Sequence, residues 1–271
     1  MESIKTIERL FMDPSLVLAI MLCVLVGLSL GILGGGGSVL MVPLFVYIAK
    51  IPVSEAIAMS LVIVGLSSAA GAAKHLKQGC VNKRLVLLFV LPGVIASFFG
   101  GRVAKFVSAD QLLLMFGGMM LLISVILINN TSKRASSDGP VICRPNLGLS
   151  VAVGSVIGFL TGLLGVGGGF LIVPAIAILM KCSMRTAIGT SLAIIAVNSA
   201  AGFAGHLSAM QLNIPLTAMF LAATVGGAFA GTRVSGKLSM DFLQKWFAAL
   251  IFLVGLLVVA QHFNFGQGGK L

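Results

Sequence analysis

Gly31-Ile32-Leu33-Gly34-Gly35-Gly36-Gly37-Ser38 and Gly162-Leu163-Leu164-Gly165-Val166-Gly167-Gly168-Gly169 are two runs of one kind, each ending a long apolar segment and each followed shortly by a proline, Pro43 or Pro174. Glycine inside a helix costs about 1 kcal/mol relative to alanine, so four near-consecutive glycines predict a break. In hydrocarbon, unwound backbone is tolerated only where protein buries it or a hydrated cavity meets it. A helix restarting at Ser38 or Gly169 turns free N–H groups and the positive end of its dipole toward the break, an arrangement that attracts oxyanions. Gly34, Gly35, Gly36, Gly37 and Ser38, with Gly165, Gly167, Gly168 and Gly169, are therefore candidate anion donors. Close helix packing is the competing explanation, because Gly27, Gly31 and Gly35, like Gly154, Gly158 and Gly162, recur every fourth residue. It accounts for the upstream glycines but not for the consecutive run. A nucleotide-binding loop is excluded, since neither run leads into Lys-Ser/Thr and Phe170 stands where the dinucleotide pattern needs glycine.

The segments around these runs read as membrane spans. The chain is 58% hydrophobic and only 9% charged, with a mean hydropathy of +1.13, which no soluble fold of this length accommodates. Stretches of about 20 apolar residues recur at 14–33, 53–75, 83–104, 111–130, 147–164, 184–205, 212–235 and 242–261, with shorter arms at 38–50 and 169–180. The expected fold class is an all-α polytopic integral membrane protein. No removable signal peptide is read, because Glu2, Glu8 and Asp13 interrupt the N-terminal stretch and no small-residue cleavage site follows the first apolar run.

A shift of 131 residues lays the second half on the first. Gly27 falls on Gly158, Gly31 on Gly162, Gly34 on Gly165, Pro43 on Pro174, Ser60 on Ser191, Ser68 on Ser199, Gly71 on Gly202, His75 on His206 and Arg102 on Arg233. One register kept this long indicates a tandem duplication. The expected organisation is repeat 1 over 14–130, a polar connector over 131–146 and repeat 2 over 147–262, each with about four helices and a broken first one. Such repeats recur in secondary transporters, whose substrate lies at the repeat interface between broken helices.

Lys and Arg total 18 against 7 acidic residues, a net charge of +11. Basic residues cluster at segment ends, as topology requires, and no soluble basic module exists to hold nucleic acid. If each first unit crosses the membrane, the two sides carry 10 and 8 of the 18 basic residues; if it re-enters, the split is 12 and 6 and the repeats are inverted. The positive-inside rule favours the inverted arrangement.

In the second span of each half, Ser60, Ser67, Gly71 and His75 fall within about 80° on a helical wheel. Their counterparts are Ser191, Asn198, Gly202 and His206, with Thr190 and Ser199 alongside. Ser60, Ser67, Thr190, Ser191 and Asn198 are candidate walls of a pathway, against the alternative of hydrogen bonds between helices. His75 and His206, near segment ends, are candidates for proton coupling, against the alternative of interfacial side chains. All seven acidic residues lie at or near segment ends, so no mid-span carboxylate serves a cation or a proton relay. No catalytic grouping, metal site or cofactor motif is present, and Cys23, Cys80, Cys143 and Cys182 have no metal-ligand spacing, which leaves them as small buried or loop residues.

Gly165-Val166-Gly167-Gly168-Gly169-Phe170-Leu171-Ile172-Val173-Pro174 followed by Ala187-Ile188-Gly189-Thr190-Ser191 resembles the TauE/SafE family of sulfite and organosulfonate transporters. The resemblance runs from about Leu16 to Val259. The first half departs from the pattern at Gly35, at Ser38, and at Ala58-Met59-Ser60, which stands for Gly-Thr-Ser. The resemblance implies a non-enzymatic secondary transporter of sulfite, thiosulfate or organosulfonates, an exporter in a bacterial inner (plasma) membrane, with the small anion and the lipid bilayer as partners. A passive channel and a membrane scaffold or enzyme stand as alternatives, and a homodimer stays open.

Overall fold

The computed structural model describes residues 14–131, 143, 146–165, 167–180, 182–206, 213–234 and 248–260. Every element among them is helical. In chain order they are α1 Pro14–Leu33, α2 Gly36–Ile48, α3 Val53–Lys77, α4 Lys83–Val103 and α5 Ala109–Thr131, then α6 Leu147–Leu164, α7 Gly169–Pro174 continued by a wide turn at Ala175–Leu179, α8 Met184–His206, α9 Ile214–Val234 and α10 Ala248–Ala260. Six of these, α1, α3, α4, α6, α8 and α9, are long and apolar enough to cross a membrane. The chain is an all-α polytopic membrane protein, as its composition predicts. Most of the polar connector and the start of the last segment lie outside the described residues.

Local sequence explains the helix starts. Asn82 Oδ1 accepts from the N–H groups of Arg84 and Leu85, Asn146 Oδ1 from Leu149 N, and Asn213 Oδ1 from Leu216 N, so side chains cap α4, α6 and α9. Within α4, Leu85, Phe89, Gly93, Ser97 and Gly101 are buried while Leu87, Leu91, Ile95 and Phe99 are exposed. Two stripes at helical spacing thus divide protein from lipid, and the exposed one carries the larger side chains. That is the reverse of a water-soluble helix, as expected where lipid replaces water.

Glycines set the closest helix pairs. Gly27 and Gly31 of α1 back onto Thr224 and Ala228 of α9, and Gly158 and Gly162 of α6 onto Gly93 and Ser97 of α4. Paired numbers rise together, so each pair runs in the same direction. Between α3 and α8 they run oppositely: a Cβ on Gly65 would stand 3.2 Å from Ser199 Cβ, one on Gly71 3.1 Å from Leu192 Cδ1, and one on Gly202 3.5 Å from Leu61 Cδ2. Those two helices are antiparallel and supply the most deeply buried spans of the fold.

Both arms fold back on the helix before them. Gly37 packs against Val26, Ser29 and Leu30 near the end of α1. Eight residues on, Phe45 meets Phe220 with ring centroids 4.9 Å apart, one turn before the Thr224 that backs Gly27. At the end of the second arm Met180 Sδ accepts from Ser150 Oγ, at the start of α6, over 3.7 Å. After each proline the helix widens, because proline contributes no N–H and leaves carbonyls for later donors. Ile51 N reaches Phe45 O at 2.9 Å and Cys182 N reaches Ile176 O at 3.5 Å. Cys143 and Cys182 are joined in a disulfide across 39 positions of sequence, whereas Cys23 is buried and free. Reading the cysteines as small buried or loop residues did not anticipate this bridge; the returning arm, not local spacing, brings Cys182 to Cys143, just before α6.

Candidate functional site

The two glycine runs meet. Gly34 and Gly35 have φ of +68° and +118°, and Gly165, Gly167 and Gly168 have +72°, +66° and +67°, a region that side chains disfavour. A Cβ on Gly35 would lie 2.7 Å from Gly169 Cα, and one on Gly169 2.6 Å from Gly35 Cα. The breaks touch backbone to backbone, wholly inside the protein. In the first run the helix restarts at Gly36, two residues before the expected Ser38. Ser38 is already inside that turn, and both its N–H (3.2 Å) and its Oγ (2.7 Å) donate to Gly35 O. The second run restarts at Gly169, as expected.

Several residues of the polar stripes serve as ties. Ser60 Oγ stands 2.5 Å from Gly165 O and 2.7 Å from Ile57 O. Ser191 Oγ stands 2.9 Å from Gly34 O and from Ile188 O. Each serine therefore holds the glycine break of the opposite half, and the two ties are 131 residues apart at both ends. Thr190 Oγ1 accepts from Asn82 N at 3.0 Å and anchors the start of α4.

A second set of polar atoms has no partner. Ser67 Oγ, Ser68 Oγ, His75 Nδ1, both amide atoms of Asn198, Ser199 Oγ and His206 Nε2 are all buried without a hydrogen bond. These residues form three pairs in the 131-residue register: Ser67 with Asn198, Ser68 with Ser199, and His75 with His206. All sit on α3 or α8, Ser67 on the side of α1 and α9 and Asn198 on the side of α4, and the serines and Asn198 are at most 1% exposed. A Cβ on Gly167 would be 3.5 Å from Ser199 Oγ, which places that hydroxyl beside the second break. Asn198 faces Gly93, its Nδ2 only 2.7 Å from where a Cβ would be. Leaving a buried polar atom unpaired costs about 1–3 kcal/mol, so such a cluster calls for water or a ligand.

His206 is buried and its Nδ1 lies 2.9 Å from Gly202 O, so in the neutral ring Nδ1 carries the proton and Nε2 is an open acceptor. His75, half-buried, lies against Gly189. Among the described residues the two acidic side chains make no contact with these atoms: Glu55 accepts from Asn213 N at the edge of α9, and Asp110 is exposed. Among the described residues no group of three His, Cys, Asp or Glu could hold a metal.

The structure thus divides the predicted site. Ser67, Asn198, His75 and His206 have open polar atoms; Ser38, Ser60, Thr190 and Ser191 are engaged by protein; Gly34, Gly35, Gly165, Gly167 and Gly169 meet the opposite half, while Gly37 packs on its own helix. Ser68 is the residue the helical wheel passes over, since it sits about 100° from Ser67. Its available signal was its register partner Ser199.

The family described as Sulfite exporter TauE/SafE matches residues 19–258. Three similar proteins, from Xylella fastidiosa strain Temecula1, Bacillus subtilis and Methanocaldococcus jannaschii, carry the name "Probable membrane transporter protein". Their identities are 29%, 25% and 24%, over 87%, 89% and 88% of this chain and 91%, 99% and 94% of theirs. No solved structure matches.

Proposed function

Because the chain belongs to the TauE/SafE sulfite exporter family of membrane transporters, we propose that it is a secondary transporter of small sulfur-bearing anions, namely sulfite, thiosulfate or organosulfonates, and that it exports them. The observation that carries this reading is the set of buried, unpartnered polar atoms on α3 and α8. Three hydroxyls and one amide offer donors to an oxyanion, and the two described carboxylates, Glu55 and Asp110, lie elsewhere, so among the described residues an anion meets no repulsion there. Sulfite and sulfonate oxygens accept several such bonds at once. His75 and His206 flank the cluster in the sequence of each helix and are the candidates for a coupled proton.

The paired contacts favour two inverted repeats, 14–130 and 147–262, joined by the connector 131–146. Antiparallel α3 and α8 occupy equivalent positions in the register, and each arm returns toward the start of the helix before it, as re-entrant units do. Alternating access then consists of one repeat rocking against the other around the touching glycine runs. The candidate anion donors Gly35 and Gly169 lie on that contact, so their N–H groups approach the anion only as the halves part.

The test is flux into proteoliposomes with and without an imposed pH gradient. Coupled transport predicts that sulfite accumulates with the gradient and that sulfate competes poorly. Flux indifferent to the gradient and carrying only the anion's own current would establish a passive channel instead.

A further inference from the structure

A cleft opens between α1, α3, α8 and α9, lined by Gly31, Ser67, Gly71, Lys74, Phe229 and Thr232 among others. Resting on the reading above, we infer that this cleft is the loading site for the anion, with the Lys74 ammonium as its first ligand and the Ser67 hydroxyl as the next. Lys74 is half-buried, and its Nζ donates to Thr232 Oγ1 at 2.7 Å. That acceptor is neutral, and among the described residues no carboxylate pairs with this lysine. A half-buried cation whose partner among the described residues is a neutral hydroxyl gains from an anion that completes the pair. The dipole at the end of α3 explains a lysine there, as it does exposed Lys77. It does not explain the cleft, nor the fully buried Ser67 Oγ on its wall, which is open for a bond.

The equivalent place in the other half is sealed. In the 131-residue register Lys74 corresponds to Gly205, Thr232 to Gly101 and Ser67 to Asn198. A Cβ on Gly205 would lie 3.2 Å from Gly101 Cα, and one on Gly101 2.8 Å from His206 Nδ1. Ser97 Oγ closes on Asn198 O at 2.7 Å. Among the described residues, the cleft at the Lys74 end is the approach to Ser67, while its counterpart is closed by backbone contact. Lys77, Lys83, Arg84, Arg185 and Arg233 share that end, the more basic face, which the positive-inside rule assigns to the cytoplasm. An exporter loads there.

The cleft encloses about 310 Å³ including its open mouth, and within it Thr232 Oγ1 already holds Lys74 Nζ at 2.7 Å. An oxyanion thus takes the place of the Thr232 hydroxyl on Lys74 rather than sitting beside it, and Phe229 must give as it passes inward.

Two measurements test this. In proteoliposomes loaded with sulfite from the Lys74 face, Lys74→Gln should raise KM about tenfold with little change in kcat, as loss of a charge-assisted hydrogen bond does. Lys74→Arg should restore KM to within about twofold, because it returns the cation. Separately, Ser67→Cys in a Cys80→Ser background should react with a charged, membrane-impermeant thiol reagent in inside-out vesicles and not in right-side-out ones. Sulfite should slow that reaction. An unchanged KM in Lys74→Gln overturns the inference, and so does labelling of Ser67→Cys only by a lipid-soluble reagent, which would make the cleft a lipid crevice. If the wild type moves no sulfur anion, the transport reading fails, while the labelling still decides whether the cleft is wet.

Discussion

A serine hydroxyl has one proton to give, yet Ser60 and Ser191 each have two carbonyls within reach, one in their own helix and one in the glycine break of the opposite half. The local carbonyl already has its helical N–H, so the distant one depends more on the serine. Removing the hydroxyl leaves a buried carbonyl without its donor and costs about 1–3 kcal/mol. Ser60→Ala and Ser191→Ala should each lower the thermal midpoint in detergent, and the double variant should lose roughly the sum, because the two ties hold different breaks. Equal midpoints for wild type and both single variants would show that the ties are incidental. The same residues mark how far sequence reaches. That Ser60 and Ser191 face inward is legible from helical spacing. That they brace glycine carbonyls while Ser67 and Asn198 keep open atoms is not, because the choice depends on which backbone lies opposite.

At the scale of elements, the broken helices follow from their glycines: φ values of +66° to +118° are cheap for that residue alone. The restart at Gly36 rather than Ser38 was not legible, since it depends on Gly35 O accepting from both the N–H and the Oγ of Ser38. Nor was the bridge between Cys143 and Cys182, because nothing in the spacing reveals that the second arm returns to the start of α6. A disulfide closing a loop of this order typically adds about 2–4 kcal/mol by restricting the unfolded chain. Reduction, or Cys143→Ser, should therefore lower the unfolding temperature. If reduction left the unfolding temperature unchanged, the bridge would not be part of the folded protein in solution. The packing glycines were legible by spacing but not by partner: Gly158 and Gly162 meet α4, and Gly27 and Gly31 meet α9, so each half's first helix packs on a helix of the other half.

For the molecule as a whole, membrane residence and helical class are fixed by hydropathy, and the family by its match over residues 19–258. The proposed inverted repeat adds a mechanism, in which two halves that exchange first helices can rock about their touching breaks with the polar seam of α3 and α8 between them. Function and stability then pull against each other at the seam, because a buried polar atom without a partner destabilises the empty protein and pays off only with substrate bound. Asn198 is the sharpest instance, with both amide atoms unpartnered at 1% exposure. The most direct measurement is uptake of labelled sulfite by proteoliposomes carrying wild type or Asn198→Leu, each matched by a thermal unfolding curve. Leucine fills the amide's volume without its polarity, so uptake should fall by at least about tenfold while the midpoint stays level or rises. Uptake equal to wild type, or a midpoint that drops together with it, would contradict a substrate role for the seam.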